Sequence, residues 1–453
     1  MSAGETMITP QTVFSRANLW QTWLDVEAAM ALAQAEIGMI PQWAADEIAN
    51  KARLENFDTA ELELSVAETM APIVSLVRSL SDICGEAGRF VHWGGTTQNI
   101  MSTGRLLLVR RSHQALLNAL ARAIDRLGAL ADQHAETVMV GRTNHRQALP
   151  ITFGFKVAGW IEELARQNER FLSTEKRVFA LHFGGAIGAM HSFEGQGEAL
   201  NAALARRLEL TPVLVPDRAS LDGQAEYVAS LALFGMTVGR IGSELYRLMA
   251  DEIDEIGETL GIAVIGSSTM PHKVNPKHVV HLVSTAAHLR SKMAPALEAG
   301  MPAHEGDASS NQLMSSTLES ASALAWELAE RLENTLANID IRSASMARNL
   351  QLNAGVIASE NLMMTLARKI GRTTAHDLVH HAVLHREDGA ASLADTLLVN
   401  SQVSEAMSRA EMEAALVPAH YLGDSIVIAR KAASLAAETA TAMRSRSETW
   451  QAR

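Results

Sequence analysis

Apolar residues recur along much of the chain at spacings of three and four. In 318–339 they are Leu318, Ala321, Ala325, Leu328, Leu332, Leu336 and Ile339. That stripe predicts a single helix of about six turns with one buried face. The segment 157–172 repeats the pattern with Val157, Ile161, Leu164 and Phe171, and 106–133 and 225–260 are further long candidates. Helices of this length exceed the globular average and suit an extended bundle, with stripes that call for packing partners beyond one subunit. Strand patterning is scarce; "LTPVLVP" at 210–216 reads as a short extended link. The fold class expected is all-α, in three regions. Residues 1–105 hold shorter helices broken by "GMIPQ" and "HWGGTTQN", 106–350 hold the longest, and 351–453 hold shorter ones with "REDGAAS" as a turn.

Composition narrows the function classes. The chain has 453 residues, 47% of them apolar but only 4% aromatic, a mix that suits close-packed helices. A net charge of −12 argues against a nucleic-acid footprint. One cysteine, Cys84, excludes an internal disulfide and suits a reducing compartment. No signal-peptide core opens the sequence, and no run of about 18 apolar residues would span a membrane. A cytoplasmic protein is expected. The acidic run "EIDEIGE" at 252–258 reads as a solvated helix face, and "HEGD" at 304–307 and "VHHAVLH" at 379–385 are weak metal motifs.

Three polar stretches interrupt the helical pattern. "GSSTMPHKVNP" at 266–276 precedes a helix that Asn275 would cap, with Pro276 at its first position. A helix N-terminus attracts anions, and Lys273 adds a full charge, so 273–276 reads as a carboxylate clamp. An ordinary exposed helix–helix loop fits the same composition. "HWGGTTQN" at 92–99 offers Thr96, Thr97 and Gln98 as hydrogen-bonding groups ahead of a long helix. "GRTNHRQALP" at 141–150 reads as a loop between two helices. A threonine-rich loop is also a capping device.

Together these stretches resemble the active-site segments of the fumarase/aspartase superfamily. "GSSTMPHKVNP" matches the signature G-S-S-x-M-P-x-K-x-N in full, while "HWGGTTQNIMSTG" and "GRTNHRQALPITFG" resemble the other two segments in order and spacing. The similarity extends to "WLDVEAAMALAQAEIGMIP", "FGGAIGAM", "ARNLQLNAGVIASENLMMTLARKIGR" and "PAHYLG", and so covers nearly the whole chain. Within the superfamily it resembles adenylosuccinate lyase and 3-carboxy-cis,cis-muconate cycloisomerase. The resemblance implies a three-domain helical fold and a homotetramer whose composite active sites draw on three subunits. It also implies β-elimination on a small carboxylate substrate through an aci-carboxylate intermediate, with fumarate the usual product and no metal or organic cofactor.

Residue by residue, the resemblance makes Ser267 the base and places Lys273 and Asn275 at the aci-carboxylate. Ser268, Met270, Thr96, Thr97, Gln98, Thr143, Asn144, Gln147 and His304 fall among substrate-binding positions. Where family lyases place a histidine oriented by a glutamate, this chain has Asn144 and Val280. A coupled loss is the expected reading, since a carboxylate left without its partner would be a buried charge. His145 is the neighbouring candidate for proton donation; a surface or packing role fits it equally.

Other departures concern recognition. Residues 67–72 read "AETMAP" in place of a histidine-bearing segment, and "RASLDGQAEY" at 218–227 lacks an arginine pair. Gly306 stands where the two relatives have arginine, and Asn99 and Ser102 stand where aspartates are usual. The missing arginines point to a substrate smaller or less anionic than a nucleotide or a tricarboxylate. Four readings follow, in descending order: a C–N or C–O lyase, a muconate-type cycloisomerase, a decarboxylase, and a non-catalytic scaffold.

Overall fold

A computed structural model describes residues 8–261, 263, 264, 266, 267, 269, 270, 272–384 and 392–451, with side chains as far as residue 446. The described chain is predominantly helical, as the 3.6-residue periodicity predicts. Four helices open it: α1 (Arg16–Glu36), α2 (Gln42–Lys51), α3 (Thr59–Thr69) and α4 (Pro72–Ile83). Their starts follow local chemistry. Ser15 accepts from the Asn18 N–H at the head of α1, Asp58 accepts from two first-turn amides of α3, and α4 begins on a proline. Cys84, at the end of α4, is a buried free thiol whose pKa burial pushes up to about 11.

The long helices follow. α5 (Thr97–Gln133) leads into the antiparallel hairpin of β1 (Val138–Thr143) and β2 (Arg146–Thr152). α6 (Phe153–Val178) comes next, then β3 (Ala180–Leu181), α7 (Gly197–Leu208) and β4 (Thr211–Pro212). β3 and β4 pair in parallel, so of the extended link expected at 210–216 Thr211 and Pro212 form a strand. α8 (Asp222–Leu248) is shorter than the 225–260 periodicity predicts. Asp254 adopts a left-handed backbone, φ 53°, and the chain turns into β5 (Ile256–Glu258). α9 (His278–Arg290), α10 (Met293–Ala299) and α11 (Ala308–Ala337) follow, then β6 (Ile339–Ile341), antiparallel to β5. Ile339 therefore leaves the helical stripe for a strand. The chain closes with α12 (Ser343–Gln351), α13 (Ser359–Ile370), α14 (Arg372–Leu384), α15 (Leu393–Leu398), α16 (Ser401–Ala406), α17 (Arg409–Ala415) and α18 (Ser425–Gln451). Of the "REDGAAS" turn only Ser392 is described, where it forms a capping box with Asp395.

The chain forms two compact units that interleave along the sequence. The first comprises residues 1–119, 166–239 and 284–330; the second comprises 120–165, 240–283 and 331–453. In the first, Val109, Phe171, Tyr227, Phe234, Leu318 and Leu328 are fully buried or nearly so. In the second, Leu127, Val157, Ile161, Leu245, Leu282 and Leu332 are. A further apolar cluster joins α13 to α17 through Leu362, Leu366, Leu393, Leu397 and Met412. The α11 stripe from Leu318 to Leu336 is buried within the single chain. It needs no second subunit to cover it, contrary to the expectation from its length alone. No helix among the described residues is long and apolar enough to cross a membrane.

Candidate active site

The sequence-designated residues are divided between the two units. Thr96, Thr97, Gln98 and His304 belong to the first; Thr143, Asn144, His145, Gln147 and the 266–275 loop belong to the second. Ser268 and His385 lie outside the described residues.

In the first unit, 91–94 is a turn and Thr97 begins α5, leaving Thr96 and Gln98 half-buried at the helix head. Two contacts hold this segment. The buried Glu27 carboxylate meets His92 Nδ1 at 2.6 Å. Burial by itself would lower the His92 pKa, but the hydrogen bond to Glu27 and its charge outweigh that and raise it. Gly94 has φ +74°, and a Cβ there would fall 2.6 Å from Phe193, so only glycine fits. Asn99 is fully buried; its Nδ2 donates to the His182 carbonyl and its Oδ1 accepts from the Gly185 N–H. An aspartate there could not donate, which accounts for asparagine at a position where aspartate is usual. His304 is exposed, with a left-handed backbone.

In the second unit, "GRTNHRQALP" is the β1–β2 hairpin, which corrects the reading of a loop between helices. Asn144 and His145 both have positive φ, 50° and 59°, and form its two-residue turn. Such turns favour asparagine at the first position, which fits Asn144. Asn144, His145 and Gln147 share a cavity of about 580 Å³ with Glu244, Arg247 and Asn349. Thr143 is exposed at the strand end. The Gln147 amide is engaged at both ends, with Nε2 donating to the Asn349 carbonyl and Oε1 accepting from Asn353. Val280 is 41% exposed, so burial within this chain does not enforce the coupled loss inferred for positions 144 and 280.

The acidic run 252–258 is neither a helix face nor solvated throughout. Glu255 is fully buried, where Arg142 grips it with two bonds of 2.6 and 2.9 Å and Asn349 adds a third of 2.9 Å. Glu258 accepts from the backbone N–H groups of Lys277, His278 and Val279 at 2.6–3.1 Å. It therefore caps α9, which begins at His278, in place of Asn275. The helix N-terminus expected to receive a substrate carboxylate is already filled by the protein's own carboxylate. Sequence reading missed both glutamates because an acidic run looks solvated until its partners are located. Among the described residues no group of His, Cys, Asp or Glu could hold a metal ion.

The signature loop is folded on itself. Asn275 Nδ2 donates to the Gly266 carbonyl at 3.1 Å, tying one end to the other. A Cβ on Gly266 would lie 2.7 Å from the Lys273 carbonyl, so the close approach demands glycine. Between these ends, the half-buried Ser267 Oγ accepts from the N–H groups of Met270 at 3.1 Å and Thr269 at 3.4 Å. Lys273 and Met270 are exposed. Two amide dipoles aimed at one hydroxyl oxygen favour negative charge on it.

Comparison with known proteins places this geometry. The family model described as "Lyase" matches residues 6–289, and "Adenylosuccinate lyase C-terminus" matches 355–432. The chain belongs to the fumarase/aspartase superfamily. It is 35% identical to an N-acetyl-S-(2-succino)cysteine lyase of Enterococcus italicus, over 90% of this chain and 92% of that protein. It is 33% identical to trans-aconitate decarboxylase 1 of Mycosarcoma maydis, over 92% and 85% of the two chains. The crystal structure of the 3-carboxy-cis,cis-muconate lactonizing enzyme of Pseudomonas putida superposes with a TM-score of 0.86 at 30% identity, covering 95% of this chain and 97% of that one. As a member of the superfamily the chain is an enzyme with lyase chemistry, β-elimination on a small carboxylate substrate.

Proposed function

We propose that the enzyme cleaves a small succinyl adduct, releasing fumarate, with Ser267 as the base. The observation that carries this reading is the Ser267 hydroxyl oxygen, which accepts two loop amides. A serine alkoxide removes the proton beside one carboxylate of the succinyl group. The electron pair is delocalised into that carboxylate as an aci-dianion beside Lys273 and Asn275. It then forms the new C=C bond as the bond to the leaving heteroatom breaks, and the heteroatom departs with the bonding pair.

The leaving group we infer is a thiolate. An amine or alkoxide needs a proton as it leaves, whereas a thiol, with a pKa near 8.5, leaves as its anion. Asn144 and Val280 stand where family lyases hold the histidine–glutamate pair, and His145 is the remaining candidate donor. A poor supply of acid suits sulfur, and the identity to a succinocysteine lyase points the same way. The second reading is a muconate-type lactonization, favoured by the likeness to the Pseudomonas enzyme. A decarboxylation ranks third. The enzyme acts as a homotetramer in this reading, with sites composed of segments from several subunits.

Proton NMR in heavy water with fumarate and a panel of thiols and amines tests it. Thiol adducts carrying deuterium at one succinyl carbon are expected. Ser267→Ala is expected to lower turnover by at least about a thousandfold without altering the oligomer. Lactone from 3-carboxymuconate, with no adduct from any thiol or amine, would replace this reading with the second.

A further inference from the structure

The hairpin end that carries Asn144, His145 and Gln147 is short. The register shifts between Gly141 and Arg142, and beyond that point the strands pair as Arg142 with Gln147 and Thr143 with Arg146. So short a two-stranded segment is marginal in water by itself. Its turn is also ill-suited to the backbone: His145, at φ 59°, takes the second turn position, where glycine is favoured. Yet Asn144, His145 and Gln147 all line the cavity of about 580 Å³. Something beyond the hairpin must hold them there.

A buried carboxylate supplies that hold. Glu255 is fully buried, and both side chains that bond to it, Arg142 and Asn349, line the cavity. Arg142 meets it with both terminal nitrogens, a planar fork on a planar carboxylate, which fixes direction as well as distance. Asn349 donates to the same carboxylate, and its own carbonyl accepts from Gln147. Glu255 thus reaches both strands of the hairpin, β1 through Arg142 and β2 through Asn349. It is anchored in turn, since its N–H donates to the Leu248 carbonyl and its carbonyl accepts from the Arg342 N–H, each at 3.0 Å. A buried ion pair adds little net stability over an apolar pair of the same volume, and its best-attested use is to fix register.

We propose that Glu255 is a positioning residue for the reaction: through Arg142 and Asn349 it sets the hairpin end, and with it the places of His145 and Gln147 at the cavity. The proposal rests on the lyase reading above for its effect on turnover, and on the geometry alone for the grip. Misplacing a group by about 1 Å can cost about a hundredfold in rate. Loosening the grip therefore slows the chemistry more than it weakens binding.

Two variants of the full chain test it. Glu255→Gln keeps the shape but loses the charge and one acceptor. Arg142→Lys keeps the ion pair but not the fork, and serves if the first variant does not fold. In protein isotope-labelled at histidine Cε1, the His145 NMR signal is identified by its loss in His145→Gln. It is expected to shift or split in both variants, while the signals of the first-unit histidines stay. Calorimetric titration with fumarate counts binding-competent sites, and the addition of N-acetylcysteine to fumarate reads turnover. Per site, kcat is expected to fall about tenfold or more, with KM for fumarate within about twofold. A merely structural role would lower the number of sites and leave kcat per site unchanged. That result overturns the proposal, as does a His145 signal unmoved in both variants. If the wild type forms no adduct, the lyase reading fails by itself, and the His145 signal still decides whether Glu255 holds the hairpin.

Discussion

Single residues decide how the candidate segments are held. His92 and Glu27 are an example: a histidine beside the threonine pair, bonded to a carboxylate that is almost wholly buried. The His92 pKa is raised in the fold. Its contribution to stability is thus fully present below the unfolded histidine value near 6.5 and fades as pH rises through the higher folded value. In thermal unfolding series, the wild type should exceed His92→Gln by more at pH 6 than at pH 9. An equal gap at the two pH values would show that the charged pair contributes nothing. Asn99 teaches a related lesson. Its replacement of the usual aspartate reads in the sequence as a lost charge, and in the fold as a gained donor toward the His182 carbonyl.

Elements are joined by groups that local rules assign elsewhere. Asn275 and Pro276 have the makings of a helix start, yet α9 begins two residues later, and its first amides bond to Glu258 on β5. A carboxylate facing three N–H groups and the positive end of a helix satisfies more donors than one asparagine amide, which frees Asn275 to close the signature loop. Glu258→Ala should cost about 1–3 kcal/mol in urea unfolding, with Glu258→Gln costing less. Hydrogen exchange at residues 277–279 should quicken in Glu258→Ala. Unchanged exchange there would dismiss the cap. The hairpin follows the same logic, because Arg142 on β1 reaches the buried Glu255, more than a hundred residues away in sequence.

At the scale of the whole molecule, the long stripes are satisfied inside one chain. Leu233, Met236 and Tyr246 on α8, Val280 on α9 and Leu297 on α10 are large apolar side chains left exposed. Large apolar side chains left exposed are candidates for an interaction surface. We propose that they form the tetramer contacts. Light scattering should report four subunits, and Met236→Glu should shift the distribution toward smaller species and lower turnover in parallel. A wild-type monomer with full activity would reject composite sites.

Local pattern alone determined the helical class, the long buried faces of α5, α6 and α11, and the polar stretches that carry the chemistry. Periodicity reports which face of a helix is buried, and the superfamily signature is contiguous in the chain. Where helices stop and which polar groups are already engaged was not legible. α8 ends at Leu248 and Ile339 joins a strand, because strand pairing between distant segments outweighs local propensity, and "GRTNHRQALP" turns back on itself as a hairpin through its two-residue turn. Glu255 and Glu258 each owe their role to a neighbour on another element. For a charged side chain, the local sequence leaves open whether it meets water, a buried opposite charge or the end of a helix. Only the tertiary structure decided that, because the energy of a charge depends on what surrounds it in space.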